Sequence, residues 1–207
     1  MEIEKFKLRD KIIWVFRGVY RPAQDSLMLL DAVIKLDENF EFGLDLGCGC
    51  GINTIFLAEK CSEVLAVDIN PKAIRNTWIN VKLNCLSDKV HVVVGDLLNF
   101  AGRERIFDIV LLNPPYLPED EYDKYISTFE KLSWNGGVKG RNIIDRFIHT
   151  IPQFLSGKGI ILMVQSSLSN LKETIKMFRE EGFKVEILET SSFFYEKLHL
   201  IKAFREG

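Results

Sequence analysis

Short apolar runs alternate with segments of helical spacing from residue 42 to residue 204. The runs are short enough to be strands, and most of the segments between them repeat their apolar residues at helical spacing. Alternation of this kind is typical of a parallel sheet covered by helices on both faces. Only Glu189–Lys197 separates the last two runs, which favours an antiparallel pair there. The predicted strands are Phe42–Leu46, Val64–Val67, Val90–Val94, Ile106–Leu112, Gly159–Val164, Lys184–Leu188 and Leu198–Phe204, and the predicted helices are Ile52–Glu59, Pro71–Leu83, Arg141–Phe154 and Leu171–Glu181.

The residues before this alternating region predict one further strand and one further helix. The segment Lys7–Tyr20 contains the apolar stretch Ile12–Phe16, which favours a strand. From Gln24 to Leu36 the apolar residues recur at roughly helical spacing, and Asp25 and Ser26 stand where helix-capping residues belong. The chain is therefore expected to begin with a strand that is followed by a helix.

Length and composition are those of an ordinary globular protein. The chain has 207 residues, of which 47% are hydrophobic and 27% charged, so we expect one domain over residues 1–207. Its 27 basic and 29 acidic residues are interspersed, and the net charge of -2 gives no global field that attracts phosphate backbones. No apolar run approaches the roughly 18 residues of a membrane span. The start of the chain, with Glu2 and Glu4, is unlike a signal peptide. These features predict a cytoplasmic protein that does not bind membranes.

The four cysteines give no pattern of a disulfide framework or of a metal site. They stand at Cys48, Cys50, Cys61 and Cys85, and the Cys48-x-Cys50 pair lacks a second pair at zinc spacing. The sequence therefore predicts no metal.

A glycine-rich turn follows the first predicted core strand. Residues 45–51 read Asp-Leu-Gly-Cys-Gly-Cys-Gly and lie where a strand ends and a helix begins, which is where open α/β sheets bind ligands. Glycine there lets the backbone approach a ligand closely, although any tight turn between strand and helix also uses glycine. Ile52 occupies the third glycine position of the G-x-G-x-x-G fingerprint, which counts against a nicotinamide cofactor.

Acidic residues end the first three core strands. Asp45 stands in the first, Asp68 follows Val64–Val67 about twenty residues on, and Asp96 follows Val90–Val94. An acid at the position of Asp68 is suited to accept both hydroxyls of a ribose, and Asp96 is suited to accept the amino group of an adenine. Strand-terminal Asp is also a common turn residue, but three in succession favour a nucleoside-containing cofactor.

The motif Asn113-Pro114-Pro115-Tyr116 directly follows the predicted strand Ile106–Leu112. Asn and Pro can simply end a strand. Two consecutive prolines, however, impose extended geometry and remove two donors, which leaves the Asn113 side chain and the Pro114 carbonyl as acceptors. A rigid pair of acceptors is suited to grip a planar NH₂ group, on which Tyr116 can stack. The long stretch Leu117–Gly140 that follows is typical of a functional loop.

Together these features resemble the class I S-adenosylmethionine (SAM)-dependent methyltransferases, and within them the HemK-like glutamine methyltransferases of release factors. Residues 20–26, YRPAQDS, look like the Y-E-P-A-E-D-T signature of the short eukaryotic and archaeal branch. Residues 134–141, WNGGVKGR, match its W-x-G-G-x-x-G-R segment. The resemblance covers essentially the whole chain.

The resemblance implies a Rossmann-like α/β fold with a seven-stranded, mostly parallel sheet, in which residues 1–36 cover the cofactor site and residues 37–207 form the catalytic core. It implies SAM as cofactor, N5-methylation of a release-factor glutamine, and a small zinc-binding activator protein as partner in a heterodimer. Arg21 and Gln24 stand where the signature has glutamates, so substrate preference is expected to differ. The implied SAM contacts are Tyr20, Pro22, Ser26, Asp45, Gly47, Gly49, Asp68, Ile69, Asp96, Leu97 and Asn113, and the catalytic turn is Asn113, Pro114, Pro115 and Tyr116.

Other functions stay open at this point. A nucleic-acid methyltransferase that modifies adenine N6 or guanine N2 would use the same turn, because stacking suits a flipped base. The lack of a basic patch disfavours direct nucleic-acid binding. A protein lysine methyltransferase is a further alternative. The intact Asn113 motif disfavours a SAM-binding protein without turnover, and Ile52 disfavours a nicotinamide oxidoreductase.

Overall fold

The structure is a computed structural model that describes residues 3–99, 102, 106–115, 136, 137 and 139–206. Tyr116, Trp134 and most of the predicted loop Leu117–Gly140 lie outside the described residues. The chain divides into two compact units, residues 1–101 and 102–207. The expected single domain stays a prediction.

Within the described residues the chain forms β-strands and α-helices in regular alternation after an initial hairpin. The strands are β1 Ile3–Leu8, β2 Lys11–Phe16, β3 Phe40–Leu46, β4 Cys61–Asp68, β5 Val90–Val94, β6 Phe107–Leu112, β7 Leu155–Ser166, β8 Lys184–Ser192 and β9 Lys197–Phe204. The helices are α1 Gln24–Ile34, α2 Ile52–Leu57, α3 Pro71–Leu83, α4 Asn142–Thr150 and α5 Leu171–Glu180.

Seven of these strands form one sheet in the order β5-β4-β3-β6-β7-β9-β8. Pairing is parallel between β5 and β4, between β4 and β3, and between β6 and β7. Strand β9 runs antiparallel to both β7 and β8. The expected mostly parallel, seven-stranded α/β fold with an antiparallel C-terminal pair is therefore confirmed.

The β1-β2 hairpin corrects the prediction for the start of the chain. The two strands pair antiparallel from Ile3 opposite Phe16 to Leu8 opposite Lys11, and Arg9 in the turn has a φ of 55°. The sequence predicts only the second strand, because β1 reads IEKFKL and none of its residues is fully buried. Without a continuous apolar face, a strand gives little periodic signal.

A ladder of asparagine side chains joins helix α3 to strand β2 in the first unit. Each asparagine accepts a hydrogen bond from one β2 backbone N–H through its Oδ1, and each donates through its Nδ2 to a β2 carbonyl, at 2.7–2.9 Å. The pairs that accept a β2 N–H are Asn84 with Ile12, Asn80 with Trp14 and Asn76 with Phe16. The edge of β2 that faces α3 thus forms hydrogen bonds with these side chains, where a further strand would otherwise pair.

The spacing of residues along a helix matches that along a strand, which explains why side chains of α3 can hydrogen-bond to the edge of β2 in this way. Four residues of an α-helix rise about 6 Å, and two residues of a strand rise about 6.6 Å. Asn76 and Asn80 of α3, and Asn84 at its C-cap, are four residues apart and therefore meet every second residue of β2, whose backbone groups point to the same side. Asn76 and Asn80 are fully buried, so these bonds lie away from water.

In the second unit, helices α4 and α5 meet through an aromatic cluster. The ring of Phe147 in α4 stands edge-on to that of Phe178 in α5, with ring centroids 6.5 Å apart, and Phe178 stands edge-on to Phe183 at 5.7 Å. Such pairs add to the free energy gained from burial. All three rings are buried, so they fix the two helices to each other.

We expect Asn80→Ala to lower the free energy of unfolding by about 2–3 kcal/mol, because it leaves the buried Cys50 carbonyl and part-buried backbone groups of Trp14 without this partner. Denaturant unfolding of the ligand-free chain measures the change. Asn84→Ala is the matched control, since its bonds to Ile12 lie near solvent and should contribute less than about 1 kcal/mol. Equal losses for the two variants would contradict the role given to the buried part of the ladder.

Candidate cofactor site and catalytic turn

The glycine loop, residues 47–51, links β3 to α2 with three glycines in the left-handed region. Their φ values are 73° at Gly47, 58° at Gly49 and 83° at Gly51. A Cβ on Gly51 would lie 2.7 Å from a side-chain atom of Thr77, so helix packing also requires glycine there. At Gly49, by contrast, no atom of the described residues lies within 4 Å of where a Cβ would stand. The backbone of Gly49 therefore borders open space that a bound group can fill.

Hydrogen bonds from strand β4 and helix α3 hold the glycine loop in place. The backbone N–H of Gly47 donates to the Val67 carbonyl at 2.8 Å. From α3, the Thr77 hydroxyl donates to the Gly49 carbonyl at 3.0 Å and the Asn80 amide donates to the Cys50 carbonyl at 2.8 Å. The loop is thus preorganised by contacts within the first unit.

Asp68 ends β4 with both carboxylate oxygens already engaged by backbone donors. Its Oδ2 accepts from the Gly49 N–H at 2.9 Å, and its Oδ1 accepts from the Asn70 N–H at 2.8 Å. Each oxygen keeps further acceptor capacity, because a carboxylate offers about four lone-pair sites. Burial raises the pKa of Asp68 above its usual value, while these two N–H groups lower it. The carboxylate is therefore oriented as a fixed acceptor.

Asp45, in β3, is the most deeply buried of the three strand-end acids, with 2% of its surface exposed. Its Oδ2 accepts from the Thr54 hydroxyl of α2 at 2.5 Å. The pKa of Asp45 is raised to about 7, mainly by burial; the Thr54 hydrogen bond opposes this rise, and the nearby Asp68 charge contributes a smaller rise. A carboxyl group that titrates near neutrality responds strongly to any cation placed beside it.

Asp96 follows β5 and is half-buried. The parallel register places Asp68 opposite Val94, and the Gly95 N–H donates to the Asp68 carbonyl at 3.0 Å. Ile69 is 41% exposed beside Asp68, and Leu97 has a φ of 52°. The acids that end β4 and β5, with Ile69 between them in sequence, therefore share one edge of the sheet, as the strand pattern predicts.

The segment Tyr20–Ser26 departs from the sequence prediction at the start of α1. Helix α1 begins at Gln24, and its N-cap residue Ala23 makes no side-chain cap, so the predicted capping role of Asp25 and Ser26 is wrong. The buried Asp25 carboxylate instead accepts from the Ser26 N–H at 2.6 Å and from the Tyr20 hydroxyl at 2.9 Å. Asp25 thus fixes two predicted cofactor contacts, a role that the sequence does not reveal.

The signature position Arg21 is an exposed residue of this segment. Its guanidinium lies 2.7 Å from the Glu4 carboxylate of β1, and Pro22 next to it is half-buried. Exposed ion pairs of this kind contribute little to stability. Arg21 therefore places a positive charge where the family signature has a negative one.

The described part of the Asn113 turn is Asn113-Pro114-Pro115, directly after β6 in the second unit. Pro114 is buried, and the two flanking residues are half-buried. A Cβ on Gly136 would stand 2.7 Å from the Pro115 carbonyl oxygen, so the backbone at Gly136 lies against this turn. Tyr116 lies outside the described residues, and the roles predicted for all four residues stay predictions.

A metal site needs a group of ligating side chains, and a reactive cysteine in the glycine loop would need a thiol whose pKa is low. The described part of the chain contains no group of three or more His, Cys, Asp and Glu residues that fits a metal ion. Burial raises the pKa of the Cys48 thiol well above its usual value and that of Cys50 to about 12, which keeps both thiols protonated.

Of the helices that the structure describes, none is long and apolar enough to cross a membrane.

The raised pKa of Asp45 predicts a pH-dependent stability. Between the ordinary carboxyl pKa and about 7, the folded chain holds the Asp45 proton while the unfolded chain releases it, so the free energy of unfolding falls as pH rises through this window. The neutral Asp45→Asn variant keeps an acceptor for Thr54 and should lack this fall. Between pH 5 and 8, the free energy of unfolding of Asp45→Asn should rise relative to that of the wild type by on the order of 3 kcal/mol, as measured by denaturant unfolding.

The exposed Asp88→Asn change controls for net charge, since it removes the same charge at the surface. A constant difference between wild type and Asp45→Asn across this pH range would show that Asp45 does not titrate there.

Comparison with known proteins places this geometry in a family. The model of the methyltransferase small domain matches residues 23–129. A provisionally named protein N5-glutamine methyltransferase of Methanocaldococcus jannaschii is 38% identical over 99% of this chain and 98% of the relative. Methyltransferase HEMK2 of Mus musculus is 31% identical over 82% of this chain and 81% of the relative.

Among solved structures, one similar chain comes from the E. cuniculi Mtq2–Trm112 complex, described as responsible for methylation of the eRF1 translation termination factor. It matches with a TM-score of 0.72 and 25% identity, over 91% of this chain and 99% of that chain. Because the family model covers half of the chain and a relative above 30% identity covers nearly all of it, the chain belongs to the methyltransferase small-domain family, among the HemK-like methyltransferases.

Proposed function

We propose that this protein uses SAM to methylate the side-chain amide nitrogen of a glutamine in a translation release factor. The observation that carries the cofactor part of the proposal is the Asp68 carboxylate, which is locked to the glycine loop through the Gly49 N–H. The acceptor part rests on the Asn-Pro-Pro turn and on the activities that the relatives' names state.

Several residues of the first unit are suited to bind SAM. Open space at Gly49 admits the cofactor close to the loop backbone. Asp68 accepts the ribose hydroxyls, Asp96 accepts the adenine amino group, and exposed Ile69 packs on the adenine ring. The positive charge of SAM stabilises the ionised form of Asp45, whose pKa of about 7 makes it responsive at neutral pH.

The Asn113 turn supports transfer to a planar nitrogen. SAM would supply a methyl group on a positively charged sulfur, and this sulfur would leave as a neutral thioether when its bond to the methyl group breaks. An amide nitrogen is a poor nucleophile because its lone pair is delocalised, so it gains most from orientation and from acceptors for its two hydrogens. The Asn113 side chain and the Pro114 carbonyl are those acceptors. The nitrogen loses a proton to solvent only after the carbon–nitrogen bond forms, so no strong base is needed.

The relatives guide the choice of acceptor and partner. One is named for N5-glutamine methylation and another for methylation of a translation termination factor in complex with Trm112. These names support a release-factor glutamine as acceptor and a small partner protein. We propose in addition that the activity is cytoplasmic and that the partner is a zinc-binding activator, as the sequence resemblance implies.

The test is methyl transfer from labelled SAM to a purified release factor, with mass spectrometry to locate the methyl group. We expect the label on one glutamine and its loss when that glutamine is replaced by alanine. Asn113→Ala should lower turnover by roughly 10²–10³-fold, the usual effect of removing one preorganised group at a developing charge, while calorimetry shows SAM binding retained.

Label on a lysine or on nucleic acid would instead support the alternative acceptors. Near-wild-type turnover by a folded Asn113→Ala variant would show that the turn only ends strand β6.

A further inference from the structure

A buried arginine anchors the glycine-rich segment that lies against the Asn113 turn. We call residues 136, 137 and 139–141 the strap. Its last residue, Arg141, is 6% exposed and immediately precedes helix α4. The functional-site residues predicted from the sequence do not include it.

The Arg141 guanidinium joins the strap to the start of helix α5. Its Nη1 lies 2.5 Å from the Ser169 carbonyl, 2.9 Å from the Asn170 carbonyl and 2.8 Å from the Thr174 hydroxyl, so two hydrogens serve three acceptors. Its Nη2 lies 2.6 Å from the Asp145 carboxylate. Lysine offers no planar fork that reaches both sets of acceptors, so this arrangement depends on arginine.

The strap is closed on itself by backbone bonds. The Asn142 N–H donates to the Gly136 carbonyl at 2.9 Å, and the Gly140 N–H donates to the Gly137 carbonyl at 2.9 Å. A Cβ on Gly136 would lie 2.6 Å from the Gly140 backbone and 2.7 Å from the Pro115 oxygen. The backbone of the strap therefore connects Arg141 to Pro115 through close contacts.

We infer that Arg141 is a positioning residue for the reaction: through the strap it sets the place of Pro115, and with it the two acceptors of the Asn113 turn. The inference rests on the proposed function of that turn. Arg141 acts at a distance from the acceptors and needs no contact with the amide. Displacing an acceptor by about 1 Å can lower the rate by on the order of 10²-fold.

Gly136→Ala tests the contact between the strap and the turn, because the added methyl group must push against the Gly140 backbone and the Pro115 oxygen. Gly159→Ala is the matched control: its Cβ would meet the side chain of Leu155 at 2.6 Å and the Phe107 carbonyl at 2.8 Å, at the opposite end of strand β6. Both variants crowd a buried glycine of the second unit. They differ in which end of the strand they disturb.

We expect Gly136→Ala to lower kcat by on the order of 10²-fold and to leave the KM for SAM within about twofold. Gly159→Ala should lower thermal stability to a similar extent with kcat within about twofold. Arg141→Lys should show the same fall in kcat as Gly136→Ala and serves if that variant does not fold. Equal kcat values for the strap variants and the control would overturn the inference.

A second readout does not depend on the reaction. In nuclear magnetic resonance spectra, the side-chain amide signals of Asn113 should move in Gly136→Ala and Arg141→Lys but not in Gly159→Ala. If the chain methylates no glutamine, the proposed function fails while these signals still decide the role of the strap. Asn113 signals that stay unmoved in both strap variants would overturn it.

Discussion

The buried polar face of helix α3 is the constraint on which the first unit depends. Asn76, Thr77 and Asn80 have no exposed surface, so each of their polar groups needs a partner inside the protein. They find those partners in the backbone of strand β2 on one side and of the glycine loop on the other. One helix therefore fixes both the hairpin at the start of the chain and the loop that we propose holds SAM.

This arrangement makes the candidate cofactor site rigid before any ligand arrives. Asp68 is held by two backbone N–H groups, and one of these belongs to the loop that α3 secures. Preorganised acceptors cost little reorganisation when a ligand binds. Asp45 differs from Asp68, because its pKa of about 7 leaves its carboxyl group only partly ionised near neutral pH. A cation placed beside it would favour the ionised form. In the second unit, a buried polar group has a similar role: the guanidinium of Arg141 hydrogen-bonds to the Ser169 carbonyl and holds the strap, which lies beside Pro115.

Local signals were readable from the sequence, and distant pairings were not. The bounds of α3 and β5 were predicted correctly, because Pro71 favours a helix start and the apolar residues of each element follow its period. The glycine loop and the strand-end acids were also placed correctly. The asparagine ladder was missed because it joins residues 60–72 positions apart, and asparagine in a helix gives no sign of such a partner. Strand β1 was missed because none of its residues is fully buried, so it gives little periodic signal. The bonds of Asp25 to Tyr20 and Ser26 are local, and they were missed because the sequence pattern favoured a capping role for Asp25.

The central claim is that Asp68 and the glycine loop bind SAM, and titration calorimetry tests it most directly. The wild-type chain should bind SAM, and Asp68→Ala should bind it about 5- to 150-fold more weakly, because leaving a buried polar group unpaired usually costs about 1–3 kcal/mol. The exposed Asp88→Ala should bind like the wild type. Circular dichroism confirms folding of each variant. An Asp68→Ala variant that is folded and binds SAM with unchanged affinity would contradict the account.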